Sequence, residues 1–219
     1  MSRGNGRMKI FLDDQDFRKF KYLLGDVVDE FELECWDFCV MHNHYHLCVC
    51  PRRWNFSEAI QKLNGDYGQW WNARHSRVGH VFQGRFKDQI VQADGYLETL
   101  TSYIARNPAR ARLVKDPIAW NWSSCAALAG LAPVPGFLST EPILSRFGDS
   151  LAEQQRGYLA HVRSTSQAAA AADERFRSKE WILGDAAFKR AVRKSAASAE
   201  TEAQHREDRR HAEPLIVLA

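Results

Sequence analysis

The stretch VMHNHYHLCVC, residues 40–50, restricts the fold more than any other part of the sequence. It has the composition of a β-strand, and the side chains of an extended strand alternate between two faces. His44 and His46 would therefore project from one face, and Tyr45 and Leu47 from the other. The segment predicts a strand that presents two imidazoles on one side of a sheet.

The surrounding patterns predict a mixture of helices and strands. Apolar residues recur at helical spacing through 11–31, where Asp13 and Asp14 are possible N-caps. The short aromatic and cysteine-rich segment 32–41 favours a strand. Further along, the sequence predicts a helix capped by Ser57, a strand around 87–91, a helix from about Asp94 to Asn107, one helix over 141–164, and a short helix over 180–196.

The chain divides by composition into three parts. Its 219 residues are 45% hydrophobic, which suffices for a real core. We expect an α+β domain over residues 1–130, a helical extension over 131–194 with a low-complexity spacer near 165–178, and a charged, alanine-rich tail over 195–219 that is disordered. No apolar run reaches the roughly 20 residues of a membrane span, and the start lacks a secretory signal. With five cysteines, these features predict a cytoplasmic protein with reduced thiols.

Positive charge is concentrated in the middle of the chain, although the net charge is only +3. Residues 52–115 contain eleven Lys and Arg against five Asp and Glu, interleaved with aromatic residues. Cations for phosphates beside rings for bases suit a protein that binds single-stranded nucleic acid. The same composition also fits aromatic residues in a core and bases on ordinary solvated faces.

The histidine strand has three interpretations on chemical grounds. The two histidines could simply be satisfied on a half-exposed strand, or they could converge on one divalent cation. A structural zinc site that also uses Cys48 and Cys50 is less favourable, because four alternate strand residues span roughly 20 Å. Small buried cysteines are the preferred interpretation of those thiols.

Four motifs decide between these interpretations when they are taken in order. They are VMHNHYHL at 40–47, GHVFQGRFK at 79–87, YLETLTSYIARNPARARLV at 96–114 and WNWSS at 120–124. Together they resemble the single-tyrosine HUH transposases of the IS200 type, and more narrowly the REP-associated tyrosine transposase branch. The resemblance covers residues of roughly 3–130 and implies a ferredoxin-like antiparallel sheet with helices packed on one face. The later helices are similar to a C-terminal extension of longer members.

The resemblance assigns roles to four residues. His44 and His46 correspond to the histidine pair, Tyr103 to the nucleophile, and Asn107 to the third metal ligand. A Tyr103–Asn107 pair four residues apart would share one helical face. Two imidazoles and a carboxamide oxygen suit Mg²⁺ or Mn²⁺. The implied reaction is cleavage and rejoining of single-stranded DNA beside hairpins through a 5′-phosphotyrosine.

Three other tyrosines compete with Tyr103. Tyr96 lies seven residues earlier and shares its helical face, so helix packing competes with a role as second nucleophile. Tyr45 should face away from the histidines, and Tyr67 fits a core or a stacking surface. We therefore assign the nucleophile to Tyr103 alone.

The FQGRFK segment is expected to contact DNA. Arg85 and Lys87 would position phosphates, and Gln83 would reach a base edge, although a structural salt bridge is an equal alternative for Arg85. Further candidate contacts with nucleic acid, weaker on sequence grounds, are Arg52, Lys62, Arg110 and Arg112. The expected partner is single-stranded or hairpin DNA, bound by a monomer or homodimer near the nucleoid.

Two departures from the family pattern affect the expectation. His42 stands where the family has proline, which should alter the turn and leave the ligands in place. The segment MSRGNGR corresponds to the end of the first family strand, so we expect a truncated first strand and an unpaired sheet edge. The alternatives to an active enzyme are a decayed or domesticated protein that binds hairpin DNA and a zinc-stabilised interaction protein.

Overall fold

The computed structural model describes residues 2–53, 55–164, 176, 180–201 and 216–218. Its strands are β1 (Ser2–Arg3), β2 (Leu33–Val40), β3 (His44–Pro51), β4 (Gln89–Val91), β5 (Ile182–Leu183) and β6 (Ile216–Leu218). Its helices are α1 (Asp14–Glu30), α2 (Phe56–Arg74), α3 (Ala93–Ala105), α4 (Asn107–Arg110), α5 (Cys125–Leu128), α6 (Glu141–Leu144), α7 (Leu151–Arg163) and α8 (Ala186–Thr201). The elements of the first 110 residues confirm the predicted mixture of helices and strands.

The helix starts follow local capping chemistry. The Asp13 carboxylate accepts from the backbone N–H groups of Gln15 and Asp16, so α1 begins where the sequence predicts. The prediction of Ser57 as the cap of α2 is wrong, because the N-cap is Asn55. The Asn55 amide donates to the carbonyl of Phe31 at 3.0 Å, which ties the start of α2 to the end of α1.

The sheet is mostly antiparallel and has six described strands. β2 and β3 form an antiparallel hairpin from the pair Val40 and Tyr45 to the pair Leu33 and Pro51. The other edge of β3 pairs with β1 and β6, β6 pairs with β4, and β4 pairs with β5 in parallel. The mostly antiparallel sheet with packed helices confirms the predicted α+β class.

The two faces of the sheet are covered by different parts of the chain. On one face, the apolar sides of α1 and α2 pack against Tyr45, Leu47 and Val49 of β3. On the opposite face, α3 and the helices of the extension pack against Cys48 and Cys50. The alternation along β3 therefore occurs as predicted, and both histidines belong to the face that α3 covers.

The WNWSS motif fastens the segment between α4 and α5 to β2. The Trp120 indole donates to the carbonyl of Val40 at 2.9 Å. The Trp122 ring stacks on Phe17 of α1 with ring centroids 4.6 Å apart. The Ser124 hydroxyl accepts from the backbone N–H of Phe38 at 3.0 Å. The motif thus packs the segment between α4 and α5 against the sheet and α1.

The extension differs from its prediction in two respects. The helix expected over 180–196 begins only at Ala186, because Ile182–Leu183 pairs with β4 as strand β5. The single helix expected over 141–164 is wrong, because α6 ends at Leu144 and α7 begins at Leu151. Ser150 starts α7 with a capping box that it shares with Glu153. The predicted spacer at 165–178 lies outside the described residues except for Phe176.

The tail contains two ordered elements. The first residues of the predicted tail, 195–201, continue α8 to its end at Thr201, and Ile216–Leu218 forms β6 inside the sheet. The remaining residues of the predicted tail, 202–215 and 219, lie outside the described part of the chain. The edge of β3 that was expected to lack a partner is occupied by β6 as well as β1. Among the described residues, no helix has both the length and the apolar character to cross a membrane.

Candidate active site

Two imidazoles from β3 form the centre of the site. His44 and His46 lie on the same side of the strand with their ring centroids 5.0 Å apart and nearly perpendicular. His46 is 3% exposed, whereas His44 is partly exposed. The pair therefore has one imidazole buried in the fold and one that solvent partly reaches.

The hydrogen bonds of the two imidazoles leave acceptor nitrogens available. Nδ1 of His44 lies 2.7 Å from Oδ1 of Asn43, a contact that fixes the ring and leaves Nε2 for another partner. Both ring nitrogens of His46 are buried and have no hydrogen-bond partner. A buried polar atom without a partner is unfavourable in a finished core, so the site suits an additional ligand of these nitrogens.

Burial keeps both imidazoles neutral. It lowers the pKa of His44 to about 4, and the positive charge of Arg3 adds to that effect. Burial also lowers the pKa of His46 well below its ordinary value, with a contribution from the neighbouring His44. A neutral imidazole keeps the lone pair that a metal ion requires.

Tyr103 approaches the histidines from α3. Its ring centroid is 5.7 Å from that of His46, in an edge-to-face arrangement. The residue is 6% exposed and belongs to the apolar cluster on this side of the sheet. The structure therefore brings the predicted nucleophile to the predicted histidine pair, although the catalytic role itself stays a prediction.

Asn107 begins α4, one turn after Tyr103. Its amide nitrogen donates to the carbonyl of Tyr103 at 2.9 Å, and its Oδ1 accepts from Arg110 at 2.8 Å. The carboxamide is 93% buried, since Asn107 is 7% exposed. It lies beside the nucleophile as predicted, and its role as third ligand stays a prediction.

Arg110 lies closer to Tyr103 and the two histidines than the sequence suggests. Its guanidinium carbon is 4.4 Å from the centre of the Tyr103 ring. Its charge also contributes to the lowered pKa values of His44 and His46. A fixed guanidinium above the ring is suited to a phosphate or to a developing phenolate.

Two further residues of the site were not found from sequence. Asn43 orients His44, and its position directly before the histidine in HNHYH was the available signal. Phe176 comes from the extension and packs its ring 5.4 Å from that of Tyr103. No pattern in the sequence connects Phe176 with the tyrosine, because the contact joins distant segments.

A buried carboxylate holds α3 against the sheet behind the site. Asp37 of β2 accepts from the Thr101 hydroxyl at 2.5 Å and from the Ser124 hydroxyl. Burial raises the pKa of Asp37 to about 7, against the lowering effect of these two hydroxyls. Since Thr101 precedes Tyr103 by two residues, this cluster fixes the part of α3 that carries the candidate nucleophile.

The three competing tyrosines, Tyr45, Tyr67 and Tyr96, have contacts that fit packing roles in the fold. The Tyr45 hydroxyl donates to Oδ1 of Asn64, and the Tyr67 hydroxyl donates to the carbonyl of Ile10 at 2.6 Å. Both lie in the cluster with α1 and α2, on the opposite face of the sheet. Tyr96 packs at the margin of the cluster that contains Tyr103.

The described residues give little support to a zinc site. They contain no group of three or more His, Cys, Asp or Glu that could hold a metal ion. All five cysteines are free and buried, and burial raises their pKa values, which opposes the thiolate form. His42 points elsewhere, since its Nδ1 lies 3.1 Å from the carbonyl of Phe11.

The basic residues divide by their partners. Arg52 forms an ion pair with Glu34, and Lys62 forms ion pairs with Asp66 and Glu30. Their predicted contacts with DNA would compete with these surface pairs. Arg112 is exposed at the end of α4.

The FQGRFK segment borders a cavity beside α2. The phenyl rings of Phe82 and Phe86 pack toward the core, whereas Gln83, Arg85 and Lys87 are exposed. The cavity has a volume of about 900 Å³, and Arg85 is among its lining residues. An exposed polar groove with a cation is compatible with the predicted contacts to nucleic acid.

A comparison with family models agrees with the motifs. Residues 2–107 match the family model described as "Transposase IS200 like". A solved structure of a REP-associated tyrosine transposase bound to a REP hairpin is similar, with a TM-score of 0.49 and 15% identity; the match covers 63% of this chain and 81% of that one. No curated protein matches the chain.

Proposed function

We propose that the protein nicks single-stranded DNA beside hairpins and transfers the strand through Tyr103. The match of residues 2–107 to the IS200-like transposase model supports this proposal. The observation that carries the proposal is the approach of the Tyr103 ring to His46, at 5.7 Å, when both ring nitrogens of His46 are buried without a partner. A structural histidine would satisfy at least one nitrogen. The arrangement therefore favours a site built for a ligand beside a phenol.

The donor set fits a divalent cation. His44 and His46 are neutral, His44 is oriented by Asn43, and Asn107 adds a carboxamide oxygen one helical turn from Tyr103. Mixed nitrogen and oxygen donors suit Mn²⁺ or Mg²⁺. Such an ion would polarise the scissile phosphate and offset the negative charge of the transition state.

The chain's own residues account for the transfer step. The Tyr103 oxygen attacks phosphorus and forms a new phosphotyrosine bond, while the bond from phosphorus to the 3′-oxygen breaks. The phenol proton is lost and the departing 3′-oxygen gains a proton, so the DNA leaves a free 3′-hydroxyl. Attack by a second 3′-hydroxyl reverses the sequence without ATP. Arg110, 4.4 Å from the ring centre, is positioned to favour the phenolate.

The DNA partner is inferred from the family and from the charge distribution. Gln83, Arg85 and Lys87 are exposed on the loop before β4. Arg110 at the site would contact the phosphate next to the cleaved bond. These residues support binding of a single strand with its scissile phosphate at Tyr103.

The decisive experiment traps the covalent adduct. The full chain is incubated with labelled hairpin single-stranded DNA and Mn²⁺, and the product is separated under denaturing conditions. We expect a protein–DNA adduct that EDTA abolishes and that Tyr103→Phe lacks, because phenylalanine has no attacking oxygen. Tyr96→Phe is the matched control and should retain the adduct.

The outcomes separate the alternatives. An adduct that persists in Tyr103→Phe would overturn the nucleophile assignment. Binding of the hairpin that survives EDTA, with no cleavage under any divalent metal, would instead indicate a decayed or domesticated hairpin-binding protein.

A further inference from the structure

Two separate strands share one edge of β3. β1 pairs Ser2 with Tyr45 and Arg3 with His44, whereas β6 pairs Leu218 with Cys48 and Val217 with Val49. Both run antiparallel to β3, so β1 and β6 run in the same direction along the same edge. Only two residues of β3, His46 and Leu47, separate the two sets of pairs. The strands therefore occupy a single strand position in the sheet.

β6 also connects the two halves of the sheet. It pairs with β4 at Gln89, Ile90 and Val91. Among the described strands, β4 pairs only with β5 and β6, so its link to β3 passes through β6. α3 follows β4 after one residue and carries Tyr103. The histidines and the tyrosine thus stand on parts of the sheet that β6 joins.

The sequence of the segment suits this central position. Residues 214–219 read PLIVLA, an apolar run with two β-branched residues at the end of a long charged and alanine-rich stretch. β-Branched and aliphatic residues favour strands that are covered on both faces. A tail that serves only to increase solubility is expected to be polar, and this apolar run differs from that composition.

We propose that the C-terminal segment 216–218 is a tethered strand that completes the sheet of its own chain and aligns α3 with the histidine pair. Strand addition to an open edge supplies backbone hydrogen bonds along one side of the added segment, and β6 makes them along both sides because it lies between β3 and β4. β6 acts at the approach to α3, while the Thr101–Asp37 hydrogen bond holds α3 further along. The strand is a positioning element, and its effect on cleavage rests on the proposed function.

Hydrogen exchange of the unmodified full chain tests the strand directly. The amides of 216–218 should exchange at least about tenfold more slowly than a free peptide of the same sequence, because paired strand amides open only with local unfolding. The chain should also elute as a monomer, since the strand is donated within one molecule. Exchange at the free-peptide rate, or a dimer that exchanges this strand between copies, would overturn the proposal.

Variants of the strand test its effect on the two halves of the sheet. Removal of residues 214–219 should lower the melting temperature by about 5 °C or more and should speed exchange at β3 and β4. Val217→Pro should act in the same direction, because proline cannot donate within a central strand. Val217→Ile is the matched control and should leave both measurements unchanged.

Complementation in trans provides a test when the shortened chain is unstable. A synthetic peptide of residues 213–219, EPLIVLA, should restore protection of β3 and β4 in the shortened protein. A scrambled peptide with proline at its centre should not restore it. Equal protection of β3 and β4 with and without the segment would overturn the proposal.

The physical readouts are independent of DNA cleavage. Loss of protection on removal of the strand supports the proposal even when the full chain cuts no DNA. Absence of cleavage by the full chain would reject only the proposed function. When the full chain forms the adduct, removal of the strand should reduce its rate of formation at least about tenfold, and the peptide should restore it. An unchanged rate would reject the alignment of α3.

Discussion

Arg110 illustrates what single residues contribute beyond the motif. Sequence reasoning gave it a weak role in binding DNA, from its charge alone. In the structure it lies over the Tyr103 ring and donates to Asn107. The resemblance to the family motifs identifies His44, His46 and Tyr103, whereas strand and helix periods predict only that the two histidines share one face and that Tyr103 and Asn107 share another. The contact of Arg110 with the Tyr103 ring depends on the turn between α3 and α4, which the side-chain periods of strands and helices do not determine.

We expect Arg110→Lys to reduce the rate of adduct formation by about 10- to 100-fold, because an ammonium cannot both stack on the ring and hold Asn107. The measurement is the initial rate of adduct formation with Mn²⁺ at saturating DNA. Arg112→Lys, at an exposed position two residues later, is the control and should change the rate little. Equal rates for the wild type and Arg110→Lys would show that the guanidinium is not part of the site.

At the scale of elements, the extension supports the helix that carries the candidate nucleophile. α7 packs on α3. Arg106 donates to the carbonyl of Ser164 at 2.8 Å, and His161 Nε2 lies 3.0 Å from the carbonyl of Glu98. Helical periodicity predicted the apolar faces here, yet it missed the break between α6 and α7. The break depends on a capping box, and the sequence continues through it without a change in composition.

Ser150→Ala should lower the free energy of unfolding by about 1 kcal/mol, because it removes the side-chain acceptor at the start of α7. Urea denaturation of the full chain measures the change. Ser150→Asp should keep most of the stability, since aspartate is an equally good N-cap. A loss as large in Ser150→Asp as in Ser150→Ala would argue against the capping role.

At the scale of the whole molecule, Asp37 connects the sheet with α3 through its bond to Thr101 and with the start of α5 through its bond to Ser124. The strand alternation, the α+β class and the histidine face could all be predicted from the sequence, because they follow from side-chain period. The buried carboxylate could not, since its partners lie 64 and 87 residues away. The same holds for β6, whose partner strands β3 and β4 are distant from it in sequence.

Asp37 also gives the molecule a pH dependence of stability. Burial raises its pKa from 3.8 to about 7, so the folded chain holds this proton more tightly than the unfolded chain. Stability from this group is therefore greatest below pH 4 and falls as pH rises, by about 4 kcal/mol up to pH 7, beyond which it levels off. Asp37→Asn should remove this component.

Urea unfolding of the wild type and Asp37→Asn at pH 5, 6, 7 and 8 measures the effect. The difference in unfolding free energy should change by about 1.4 kcal/mol per pH unit below pH 7. Parallel pH profiles for the two proteins would contradict the assignment.

The alignment of β1 and β6 on one edge of β3 indicates where the chain could be circularly permuted. A circularly permuted chain that reads EPLIVLA directly into MSRGNGR would turn two short strands into one unbroken strand, because Ala219 and Met1 supply the two residues needed opposite Leu47 and His46. A new pair of ends opened within 132–136 would leave the sheet pairings intact. Such a rearranged protein should fold with the same core and no longer depend on a long tether to find its central strand.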